Sequence, residues 1–201
     1  MFHDQLNAIE LARQWINSPE QIAVLDTETL GLGNDAEIIE ISLIDGRGKV
    51  LLDTLVKPTK EVPQEVINIH GITNEMLSEE KSWTEVQLDF ENAIRGKTLV
   101  IYNADYDMRI IHQTYLAHGK KLPKDIEESI TIDCAMLTYA AFSGVWDDRR
   151  EDWKWHKLID AAENSGVSTD TAHRSLADTI MTLGVIKYIA EQPGWEQFNE
   201  Q

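Results

Sequence analysis

Apolar residues return at Leu6, Ile9, Ala12, Trp15 and Ile16, which is the spacing of one helix face, and the spacing predicts a helix over 4–17 closed by Ser-Pro-Glu. The pattern then changes period. "QIAVLD" reads as a buried strand, followed by a turn region holding Gly31, Gly33 and Asn34. "EIIEISLID" and "KVLLDTLVKP", separated by Gly46 and Gly48, predict a hairpin. A loop is expected around Pro58 to Thr73. Beyond it, 84–95 reads as a helix, "TLVIYN" as a buried strand, 105–118 as a helix ending at Gly119, and "SITIDC" as a short strand. Helices are predicted over 133–142, 155–164 and 175–191, the last closed by Pro193 and Gly194. A hairpin followed by strands interleaved with helices implies an α/β domain with a mixed sheet covered by helices.

The chain has 201 residues and 42% hydrophobic content, enough for one well-buried core, so a single domain is expected with the N-terminal helix as a packing appendage. No apolar stretch approaches the ~18–20 residues that span a bilayer. The start "MFHDQLNAIE" has neither a basic segment nor an apolar one, so a soluble, cytoplasmic protein is expected, without a membrane partner. The lone Cys134 agrees with a reducing compartment and reads as a small apolar residue. Eighteen basic residues against 35 acidic ones give a net charge of -17, opposite to the footprint of a protein that wraps duplex nucleic acid. An enzyme that touches a few nucleotides through bound cations remains compatible with that charge.

Given this acidity, the stretch "IAVLDTET" is unexpected. Alternate strand residues point the same way, so Asp26 and Glu28 project from one face at the end of the first strand, where open α/β sheets build their sites. A second strand runs into Asp105 and Asp107 in "YNADYDMR". In "HRSLADT", His173 precedes Asp178 by five positions, a turn of about 140° on a helix, so the two would not share a face. His173 is therefore expected before the helix, and the Ser175-x-x-Asp178 spacing predicts a capping box that starts it. Each motif alone also has a structural reading: a strand end, a helix cap, a surface histidine. Together they place acids after separate strands and at a helix start, where they would repel one another unless divalent cations bind. Hard oxygen ligands of this kind suit Mg²⁺ or Mn²⁺.

"DTET", "YNADYD" and "HRSLAD", in this order, resemble the three motifs of the DnaQ-like 3′–5′ exonucleases of the subtype with a histidine in the third motif, and "INIHGIT" at 67–73 extends the likeness. The resemblance runs from about residue 22 to 190. It implies a ribonuclease H-like fold, a mixed five-stranded sheet flanked by helices, with an exonuclease domain over 20–192 and a helical extension over 1–19. Hydrolysis of single-stranded DNA or RNA from the 3′ end, releasing nucleoside monophosphates, is the implied activity. The implied ligands of two Mg²⁺ or Mn²⁺ ions are Asp26, Glu28, Asp107 and Asp178, Asp105 being the variable position. His173 is the implied general base, since imidazole titrates nearest neutral pH. Thr27, Thr29, His70 and Asn103 are candidate substrate contacts, and a second copy of the chain or a polymerase-type protein is the candidate protein partner. Tyr102 stands where many members carry histidine, outside the ligand set.

The segment "FSGVWDDRREDWKWH" holds three of the six tryptophans, Trp146, Trp153 and Trp155, which could stack bases or pack within the protein; packing is expected for at least two. A reading from another class is a non-catalytic nucleic-acid or protein-binding subunit that kept the fold. Such a module has no need to bear the repulsion of four acids.

Overall fold

The computed structural model describes residues 2–170 and 173–195. Its elements are α1 (Phe2–Asn17), β1 (Ile22–Thr29), β2 (Ile38–Ile44), β3 (Val50–Leu55), α2 (Gln64–His70), α3 (Asn74–Leu77), α4 (Trp83–Ile94), β4 (Thr98–Ile101), α5 (Ala104–Ala117), α6 (Lys124–Glu127), β5 (Thr131–Cys134), α7 (Ala135–Ser143), β6 (Trp146–Asp147), β7 (Asp152–Trp153), α8 (Leu158–Asn164) and α9 (Ser175–Ala190). Five strands form one sheet in the order β3-β2-β1-β4-β5. β1 pairs antiparallel with β2 and parallel with β4, β2 with β3 is the expected hairpin, and β4 with β5 is parallel. The mixed sheet flanked by helices is thus present as the sequence predicts.

Strand alternation divides the interior into two cores. Ala23 and Leu25 of β1 face a layer built by α4 and α5, where Trp83, Phe90, Ile110, Ile111 and Tyr115 are buried. Ile22 and Val24 face the other way, onto α1, α7, α8 and α9. On that side α1 packs against α7 and α9, burying Leu6, Ile9, Ala12 and Trp15. Trp15 Nε1–H also donates to Asp133 Oδ2 at 2.8 Å. The N-terminal helix is therefore a wall of the second core.

Two local expectations are corrected. The stretch read as loop between Pro58 and Thr73 contains α2, ended by Gly71 in the left-handed conformation, φ 74°. The capping box expected at Ser175 does not form: Arg174 is the N-cap, and the Ser175 hydroxyl meets Ser42 Oγ at 2.6 Å instead. Trp146 and Trp153 meet edge to face at 5.4 Å across the small β6–β7 hairpin, and Arg150 covers the ring of Trp155, but Trp146 and Trp155 stay exposed. Among the described residues, no helix is long and apolar enough to cross a membrane.

Candidate active site

β1 carries the first two acids past the end of its pairing with β4, and a register shift falls between Glu28 and Thr29. Asp26 and Glu28 share the face toward α9. Asp178, on the first turn of α9, meets them there, and a carboxylate oxygen from each of the three lies within 4.8 Å of the others. Asp107 reaches the same region from α5. It is outside that three-way group, is 3% exposed, and accepts a hydrogen bond from Thr27 Oγ1 at 2.7 Å. After burial itself, Asp107 is the strongest charge influence on Asp26. Asp105 is exposed, as its variable position implied.

Among the described residues no ion pair is made to Asp26, Glu28, Asp107 or Asp178, Arg174 being paired with Glu40, and the electrostatics of the group record the cost. Asp26 is pushed up well above the usual carboxylate range, first by burial and then by Asp107, Asp178, Glu28 and Glu40. Burial, followed by Asp178 and Glu40, raises Glu28 to about 8, against a lowering by Arg174. Burial raises Asp107 to about 7, opposed by the Thr27 hydrogen bond, and Asp178 to about 6, opposed by the His173 backbone N–H. Hard, crowded carboxylate oxygens whose protonation is favoured for want of a counter-charge fit a divalent cation such as Mg²⁺ or Mn²⁺.

His173 lies in the loop before α9, as its spacing to Asp178 required. It is exposed, has φ 71°, and its backbone N–H donates to Asp178 Oδ1 at 3.2 Å. Asn103 also holds a left-handed backbone, φ 71°, at the turn from β4 into α5, and its side chain makes no capping bond. That turn aims Asp107 inward. Thr27, one of the candidate substrate contacts, lies on the strand face opposite Asp26 and Glu28, and its hydroxyl donates to Asp107.

Thr29 and His70 line a cleft of about 570 Å³ beside Glu28, with Leu30, Leu32, Val66, Ile69 and Tyr106. Thr29 Oγ1 and Tyr106 Oη are 2.7 Å apart. His70 is 6% exposed, and its Nδ1 accepts the Ile72 N–H at 3.0 Å. The neutral ring that burial favours therefore carries its hydrogen on Nε2, a buried donor without a hydrogen-bond partner among the described residues.

Two residues of this site, Glu40 and Arg174, were not singled out from the sequence. Glu40 is 4% exposed within a strand that is apolar apart from it and Ser42, and it holds Arg174 through both carboxylate oxygens. A lone acid in a run as apolar as "IIEISLI" was the available signal. Tyr102, where the resemblance has histidine, is buried away from the acids and donates to the His156 carbonyl at 2.9 Å.

The Exonuclease (RNase_T) family model matches residues 23–186. An uncharacterized exonuclease, CP81, of Escherichia phage 186 is 45% identical over 90% of this chain and 92% of its own. The DNA polymerase III subunit epsilon of Buchnera aphidicola subsp. Schizaphis graminum is 31% identical over 64% of this chain and 60% of that protein. A structure of exonuclease X with 5′ overhanging duplex DNA superposes with a TM-score of 0.60 at 22% identity, covering 83% of this chain and 90% of that one. The shared architecture is the ribonuclease H-like fold.

Proposed function

Because the chain belongs to the RNase_T exonuclease family, we propose that it removes nucleoside monophosphates from the 3′ ends of single-stranded nucleic acid with two divalent cations. The observation that carries this reading is the convergence of Asp26, Glu28 and Asp178 within 4.8 Å, beside Asp107, with no ion pair to any of the four among the described residues. Asp26, Glu28, Asp107 and Asp178 would hold Mg²⁺ or Mn²⁺, ions that when bound supply the positive charge for an attacking water and a departing 3′-oxygen. His173, exposed at the lip of the site, takes the proton of the water at a ring nitrogen. The backbone N–H of His173, tied to Asp178, keeps that ring beside the acids.

The cleft beside Glu28 takes the terminal nucleotide. Leu30, Leu32, Val66 and Ile69 offer apolar contact for a base, and His70, which lines the same cleft, is a contact for the sugar or phosphate. Asn103, with its uncommitted side chain at the β4–α5 turn, contacts the same nucleotide or the next. The relative from Buchnera is by name a polymerase subunit, so a polymerase-type partner belongs to the same reading, as does action in the cytoplasm.

The test is release of mononucleotide from 5′-labelled DNA and RNA oligomers, with Mg²⁺ and with chelator. Stepwise shortening from the 3′ end that chelator abolishes is expected, and the ratio of the two rates assigns the sugar. No shortening of either oligomer, or shortening indifferent to chelator, contradicts the proposal.

A further inference from the structure

β2 is buried along its whole length, and Glu40 is its one carboxylate. The antiparallel register sets Glu40 directly opposite Glu28, a like-charge pairing that destabilises a sheet unless something intervenes. Arg174 intervenes. Its Nε donates to Glu40 Oε1 and Oε2 at 3.0 and 3.1 Å, and its Nη2 bonds Oε1 as well. The Ser175 N–H donates to Glu40 Oε2 at 2.9 Å, and the Ser175 hydroxyl meets Ser42 Oγ at 2.6 Å. Residues 174–175 are thereby pinned to β2 by a guanidinium, a backbone N–H and a hydroxyl. Immediately before them stands His173, and one turn after them Asp178, joined by the His173 N–H.

We propose that Glu40 is a positioning residue: through Arg174 and the Ser175 N–H it fixes the start of α9, and so sets where Asp178 and His173 stand relative to Asp26 and Glu28. This rests on the exonuclease reading of the site. An ion pair between the buried Glu40 and the half-exposed Arg174 contributes little net stability compared with apolar packing, so register accounts for its presence here. Placement matters at this scale, because a misplacement of about 1 Å costs on the order of 10²-fold in rate.

The experiment is a double-mutant cycle of Glu40→Gln, Arg174→Gln and both together. Four quantities are measured: kcat and KM with Mn²⁺, melting of the metal-free protein, and amide hydrogen exchange of residues 173–178. Glu40→Gln is expected to lower kcat on the order of 10²-fold, with KM nearly unchanged and the melting temperature within about 5 °C of wild type. Exchange in 173–178 should quicken several-fold, and the double variant should lose no more activity than the worse single one. The Arg174→Gln variant changes only a half-exposed side chain, so it carries the same kcat and exchange expectations if Glu40→Gln does not fold. Wild-type kcat in Glu40→Gln, losses that multiply in the double variant, or unaltered exchange in 173–178 would overturn the proposal. A wild-type protein that releases no nucleotide would sink the exonuclease reading instead, and the exchange cycle would still decide whether the pair pins the segment.

Discussion

His173 is held in the left-handed region at φ 71°, a conformation that costs a β-carbon-bearing residue energy and persists where its surroundings fix it. What fixes it is visible: its N–H is bound to Asp178, and the next residue is bracketed by Glu40. A test of its role has to keep that backbone, so asparagine, which tolerates the left-handed region, is the substitution to use. His173→Asn is expected to lower turnover by ~10²–10⁴-fold, the range for a lost general base, with Mn²⁺ affinity by calorimetry nearly unchanged. A large loss of metal affinity would make the histidine a ligand. The acids of this site were legible residue by residue, because each follows a strand or opens a helix. Glu40 was not: inside "EIIEISLID" it reads as a strand residue, and only the register with β1 reveals that it faces Glu28. The hydrogen bond of Thr27 to Asp107 is equally a matter of register, since alternation points its side chain away from Glu28 and toward α5.

At the scale of elements, period and punctuation carried most of the fold. β1, β2, β3, β4 and α5 lie within a few residues of their sequence-predicted spans: β1, β2, β4 and α5 each bury an apolar run or face, while β3 half-buries Leu51, Leu52 and Leu55 at the sheet edge. α2 escaped because Ile69 is 60% exposed at the cleft while Val66 and Ile67 are only half-buried against the core, which blurs the usual amphipathic pattern. The weight of α1 was also illegible: an amphipathic helix looks the same whether it rests on a domain or completes its core. Its contacts with α7 and α9 decide the matter. Leu6, at 2% exposure among those helices, is a direct probe. Leu6→Ala should destabilise the protein by about 2–5 kcal/mol in urea unfolding, with kcat below the transition unchanged. A cost near zero would mean that α1 is an appendage after all.

For the whole molecule, a net charge of -17 is distributed unevenly in its consequences: most of the acids are solvated, while four are gathered where β1, α5 and α9 meet. These four bind protons more tightly in the folded chain than in the unfolded one, where carboxyls titrate near pH ~4. Between there and the folded values of about 6 for Asp178, about 7 for Asp107 and about 8 for Glu28, the folded state holds the extra protons. Stability of the metal-free protein is therefore greatest at the acid end of this window and is lost as pH rises through it. His70 and His156, both lowered by burial, act in the opposite sense, and a comparison with Asp26→Asn cancels them. Divalent ions replace the protons, so their stabilisation should grow with pH.

The most direct measurement is calorimetric melting of wild type and Asp26→Asn at about pH 5.5 and about pH 8, in chelator and in Mn²⁺. Metal-free wild type should melt lower at the higher pH, and Asp26→Asn should melt above it there while losing much of the pH dependence. Mn²⁺ should raise the wild-type melting temperature more at pH 8 than at pH 5.5, and Asp26→Asn far less. A metal-free Asp26→Asn that melts below wild type at the higher pH, or Mn²⁺ that stabilises both proteins equally, would contradict a cation centre built from crowded carboxylates.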